Sequence, residues 1–153
     1  MDHYDIETAY EPFVSELRAE GFATPAEGWS AELVAAHVAV NNELIATAAE
    51  LVIAGQHPYY DNETAVDDTK LRAFVDSVKD ISGPATAAEV SAQRLTAAAE
   101  ALDENSLEYA LPVRIVEASG VVHNGPIPFG EFVNGNATFH LERHLEQLKA
   151  LRS

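Results

Sequence analysis

The stretch WSAELVAAHVAVNNELIATAAELVIAG, residues 29–55, constrains the fold more than any other part of the chain. At about 100° per residue, Leu33, Val34, Val40, Leu44, Ile45, Ala48, Leu51 and Val52 gather into one inward stripe, while Glu32, Glu43 and Glu50 lie opposite. That pattern predicts a long amphipathic helix. Ser30 is placed to cap its start, Trp29 to staple onto Val34, and Gly55 to stop it. A helix of this length with one apolar side needs other helices to cover it.

The remaining segments supply them. DIETAYEPFVSELRAEG carries Ile6, Tyr10, Phe13, Val14 and Leu17 at helical spacing and ends at Gly21, with Pro12 either starting the helix proper or kinking it. QHPYYDNETAVDD reads as loop, TKLRAFVDSVKDI as a shorter helix broken by SGP. ATAAEVSAQRLTAAAEALDEN is an alanine-rich helix with Val90, Leu95, Ala98 and Leu102 inward. In VRIVEASGVVHNGPIPFG the period changes to that of a small hairpin around a Ser-Gly turn, and a last long helix runs from about Phe129 to Leu151. The expected fold is all-α: a four-helix bundle in one domain over residues 1–153, with a short extra helix and a β-hairpin inserted before the last helix.

Composition excludes several functions. The formal charge of −16, from 25 Asp and Glu against 9 Lys and Arg, repels phosphate backbones and anionic membrane surfaces, so neither nucleic acid nor membrane is an expected partner. No apolar run approaches the roughly 20 residues of a membrane span, and MDHYDIETAY lacks the basic head and apolar stretch of a signal peptide, which points to the cytoplasm. With no cysteine, a bound metal must use histidine, carboxylate, amide or water.

The histidines carry the chemistry. On the last helix Val133, Ala137, Leu141, Leu145, Leu148 and Leu151 share one side and Glu142, Glu146 and Lys149 the other; His140 and His144, four apart, fall on the flank of the apolar side. His37 sits with Asn41 in the middle of the apolar stripe of the second helix. A histidine so placed is either a hydrogen-bonded core residue or a metal ligand. Three inward imidazoles meeting without a metal leave several nitrogens to satisfy, whereas one divalent cation satisfies three together. HLERH is not the metalloprotease motif, because Glu142 lies about 200° around the helix from His140. His3, His57 and His123 are expected to be exposed.

GWSAELVAAHVA and FHLERHLEQLKAL together resemble the DinB-like superfamily, which includes mycothiol-dependent maleylpyruvate isomerase. The resemblance implies a four-helix bundle holding a divalent metal, often nickel or zinc, by His37, His140 and His144. The isomerase branch has glutamate where this chain has His140, so the likeness is to the all-histidine DinB type. It also implies a low-molecular-weight thiol of the mycothiol or bacillithiol kind, used in transfer or isomerisation with an electrophile, and a monomer or homodimer.

Three neutral imidazoles leave a divalent ion's charge largely uncompensated and positions open for water or substrate, the arrangement of a Lewis acid. By spacing, Asn41, Asn136 and Gln147 are each placed to hydrogen-bond an imidazole, water or substrate near the metal; ordinary flank polarity is the stronger reading for Gln147, and Asn41 has the better case. Tyr59, Tyr60 and Asn62, with neighbouring Asp61, are nominated for substrate contact, and Arg94 as a carboxylate clamp or a salt-bridge partner. An enzyme, a non-catalytic metal-binding module acting in stress response or small-molecule binding, and a metal-activated hydrolase are the competing readings. The hydrolase needs a base near the metal, and neither inward stripe carries a carboxylate beside its histidines.

Overall fold

A computed structural model describes residues 6–78 and 82–152; His3 lies outside them. Helices α1 (Ile6–Arg18) and α2 (Ala31–Ile53) are followed by β1 (Tyr60–Asp61), α3 (Glu63–Val66), α4 (Asp68–Val78), α5 (Ser82–Glu100) and α6 (Glu104–Glu108). Strands β2 (Ala110–Glu117) and β3 (Gly120–Pro128) precede a composite last helix: α7 (Phe129–Gly135), a π turn (Asn136–His140) and α8 (Leu141–Ala150). The fold is mostly helical with a small three-stranded sheet. Among the described residues no helix is long and apolar enough to cross a membrane.

Helix α5 packs against α1 and α2, the last helix packs against α1 and α2 in turn, and these four close a ring. Ala85, Ala88 and Ala92 of α5 and Ala35, Ala39, Ala46 and Ala49 of α2 are buried, and such small side chains let helix axes approach closely. Phe13, Leu17, Ile45, Leu95, Phe129 and Leu148 fill the interior, each worth roughly 1.5–3 kcal/mol of burial. Val90, expected inward, is 55% exposed. The inward stripe of α5 runs through Ala88, Ala92 and Leu95, and Val90 lies about 200° from Ala88.

The ends of α2 follow their local chemistry. The Ser30 hydroxyl accepts from the Leu33 N–H at 3.3 Å. At the other end Gly55, at φ 82°, donates to the Val52 carbonyl while Gln56 donates to that of Leu51, the Schellman pattern that requires a left-handed residue. Between them the expected one-sided stripe gives way to burial nearly all round: Ala35, Ala36, Val38 and Ala39 are fully buried, whereas Val40, Leu44, Leu51 and Val52 are half-buried. The cause is its neighbours, since α4, α5 and the last helix each take a side.

Other boundaries shift for identifiable reasons. Pro12 lies inside α1 on its exposed face and neither starts nor ends the helix. SGP is the first turn of α5, where proline costs no hydrogen bond. A Cβ on Gly83 would sit 2.1 Å from the Val78 carbonyl oxygen, so only glycine fits there. Asp103 accepts from the Ser106 N–H at 2.8 Å and starts α6, cutting short the helix expected to run through it.

The hairpin forms as expected in kind but begins at Ala110, with Val113 opposite Gly125 and Glu117 opposite Gly120. The segment expected to be loop contributes β1, which pairs in parallel with β2 through Tyr60 opposite Val113, and the single turn α3.

Candidate metal centre

His37 projects from α2, His140 ends the π turn and His144 lies on the first turns of α8. Their Nε2 atoms meet: His37 is 3.0 Å from His140, and His144 is 3.1 Å from His140. Among the described residues these three form the group that could hold a metal ion. Two nitrogens bound to one cation at about 2.0–2.1 Å stand about 2.9 Å apart at a right angle and about 3.3 Å apart at the tetrahedral angle. These two separations fall inside that range, and the three donor atoms all lie within 4.8 Å of one another, so the group could hold a divalent ion.

The outward nitrogens fix which way the inward ones face. His37 Nδ1 lies 2.6 Å from the carbonyl oxygen of Ala65 in α3, and His144 Nδ1 lies 2.8 Å from Gln147 Oε1. Both oxygens only accept, so each Nδ1 carries the ring proton and each Nε2 presents a lone pair. His140 Nε2 stands between those two lone pairs and has at most one proton to give. At neutral pH the rings have no further proton: burial, and then the charge of His144, push His37 down to about 4, and burial with the charges of His144 and His37 pushes His140 to about 2. Burial lowers His144 as well.

The indole of Trp29 stands over His37 at a centroid distance of 5.0 Å and donates its N–H to Asp68 Oδ1 at 2.9 Å, tying the start of α4 to the site. The sequence predicts only the helix staple for Trp29. The guanidinium of Arg143, exposed and 3.6 Å from Glu117, adds a smaller push in the same direction on all three rings.

The π turn sets where His140 points. The Leu141 N–H reaches back to the Asn136 carbonyl, five residues away, and the Thr138 hydroxyl donates to the Asn134 carbonyl at 2.8 Å. The extra residue in this turn breaks the uniform helix that the sequence predicts over 129–151. Such turns occur mostly as single insertions in α-helices and often at functional sites.

Several expected site residues do something else. The hydrogen bonds of Asn41 and Asn136 go to each other and to tyrosines rather than to an imidazole; Asn41 Nδ2 donates to Asn136 Oδ1 at 2.7 Å, and both are buried. Gln147, for which spacing allows an imidazole contact and flank polarity is the stronger reading, holds the His144 ring. Tyr60 is buried and its hydroxyl donates to Asn41 Oδ1, while burial raises its pKa. Asn62 is saturated by backbone, giving Nδ2 to the Val116 carbonyl and taking the Val116 N–H. Arg94 bonds Glu43, Thr47 and Glu50 of α2 rather than a site residue. Asp61 pairs with Arg114 at 2.8 Å, and Tyr59 is 74% exposed. His57 is exposed beside Tyr109, and His123 is half-buried against the Gly125 carbonyl rather than exposed; neither joins the triad.

A buried chain of hydrogen bonds that the sequence does not announce runs beside the triad. Asn136 Nδ2 donates to the Tyr10 hydroxyl at 3.1 Å, Tyr10 donates to Asn42 Oδ1, Asn42 Nδ2 to Ser91 at 3.1 Å, and Ser91 to the Ala88 carbonyl at 2.9 Å. The one signal for it is the adjacent pair Asn41-Asn42 within an otherwise apolar run. Comparison with family models, curated proteins and solved structures returns no match.

Proposed function

We propose that this chain is a metal-dependent enzyme of the DinB-like type, a transferase or isomerase that uses a low-molecular-weight thiol at a nickel or zinc ion held by His37, His140 and His144. One observation carries the reading: the ring nitrogens of two buried histidines and the half-buried His140 gather within 4.8 Å with too few protons to satisfy one another. A divalent cation bound there supplies Lewis acidity and lowers the pKa of a thiol or water that reaches it.

The chain's own residues do the rest. The Ala65 carbonyl and Gln147 hold the rings of His37 and His144 with their lone pairs inward and raise their donor strength. Burial keeps the imidazoles neutral, and therefore available, well below pH 7. No fourth histidine or carboxylate belongs to the group among the described residues, which favours an open position over a closed structural site. Glu142 points to solvent, so no carboxylate of this helix stands as base beside the centre. The thiol follows from the likeness of GWSAELVAAHVA and FHLERHLEQLKAL to the superfamily, not from the geometry.

Elemental analysis of protein purified without an affinity column tests the centre: near-stoichiometric nickel or zinc is expected, and its loss in His37→Ala. A panel of thiols and electrophiles then tests the activity. Bound metal with no turnover on any pair removes the enzyme and leaves the metal-binding module.

A further inference from the structure

Asn136 is held from both sides inside the core. It accepts from Asn41 of α2, which itself accepts from Tyr60 of β1, and it donates to Tyr10 of α1. The run from Tyr60 through Asn41, Asn136, Tyr10, Asn42 and Ser91 to the Ala88 carbonyl has one sense, because that last oxygen can only accept. Asn136 is also the first residue of the π turn that ends at His140. In a uniform helix Asn136 and His144 would stand about 80° apart; one residue's rotation absorbed by the turn reduces this to about 20°. The turn therefore lets Asn136 and His144 face α2 together.

We propose that Asn136 is a positioning residue for the metal centre: it locks the π turn in the register that places His140 Nε2 between His37 and His144. The proposal rests on the metal reading above. Rotating the turn toward a regular helix breaks two buried bonds of one side chain at once, so the asparagine holds a backbone irregularity that the imidazoles need. Asn136 makes its hydrogen bonds with Asn41 and Tyr10 and acts through His140.

Cobalt(II) titration of the metal-free chain tests it, read by affinity and by the visible absorption of the bound ion. Asn136→Ala is expected to weaken cobalt binding about ten- to a hundredfold and to shift the absorption bands. Ser91→Ala, at the far end of the same hydrogen-bond run, is expected to leave both as in the parent. The proposal is overturned if Asn136→Ala binds cobalt with the parent's affinity and spectrum. It is equally overturned if Ser91→Ala weakens binding as much, since the effect is then a general loss of core stability. Where Asn136→Ala does not fold, Tyr60→Phe removes one hydroxyl and acts through Asn41; a changed spectrum supports the proposal and an unchanged one ends it. A parent chain that binds no cobalt ends the metal reading itself, an outcome that no variant mimics.

Discussion

The metal-free protein should lose stability as the pH falls from 6.5 toward 4, an interval that lies mostly above the range in which carboxylates titrate. Burial, then the charge of His144, lower the His37 pKa from 6.5 to about 4. The unfolded chain therefore takes up a proton at this ring while the native chain does not, and acid favours unfolding. The contribution is fully present above pH 6.5, falls by about 1.4 kcal/mol per pH unit, and is gone near pH 4, a loss of about 3 kcal/mol. That is a large part of an ordinary domain's roughly 5–15 kcal/mol. His140, pushed down to about 2, acts in the same direction and continues to lower pH. Asp61 and Asp103, held below the ordinary carboxylate range, add their losses only below about pH 4. Urea unfolding in chelator at several pH values, for the parent and for His37→Gln, measures the effect. Glutamine keeps an N–H for the Ala65 carbonyl and does not titrate. The variant's stability should depend on pH less steeply, by about 1.4 kcal/mol per unit over this interval. Equal slopes in the two proteins would refute the reasoning.

Other perturbations separate the centre from the scaffold. Gln147→Ala frees the His144 ring to turn and should weaken metal binding about ten- to a hundredfold, measured by competition with a chelating dye. Leu95→Ala opens a cavity at a fully buried position and should cost roughly 2–5 kcal/mol in urea unfolding while metal stoichiometry is retained. Arg94→Ala removes partly exposed ion pairs to Glu43 and Glu50 and should cost no more than about 1 kcal/mol, with metal affinity unchanged by calorimetry.

The features legible in the sequence are those whose cause is local or periodic. Ser30 and Gly55 bound α2 through bonds within a few residues, and the inward facing of His37, His140 and His144 follows from the apolar neighbours on their own helices. Strand β1 is only two residues long and exists because Val113 and Arg114, some fifty positions on, lie beside it; no local pattern encodes that. An apolar count turns Val90 inward because the packed face of α5 is made of alanines, which carry little weight in it. The π turn escaped because a projection at constant angle has no place for an extra residue. The exchange of roles between Asn41 and Gln147 has the same origin. Spacing puts Asn41 one turn from His37, yet the rotated turn brings Asn136 against it, and the amides take each other.

The two polar systems in this core obey the same accounting and come out differently. In the run from Tyr60 to Ala88 every link has one donor and one acceptor, and a carbonyl closes it, so it needs nothing from outside. In the imidazole group two rings have committed their protons to carbonyl oxygens, and the third has at most one proton for two lone pairs. Protonating a ring supplies the missing donor only at a pH where burial no longer forbids the charge, near 4 for His37. Between that pH and neutrality the deficit stands, and a cation is the species that three inward lone pairs can share. A buried polar cluster serves structure when its protons match its acceptors and serves a ligand when they do not. Here one link of the matched system, Asn136, holds the turn on which the unmatched one depends.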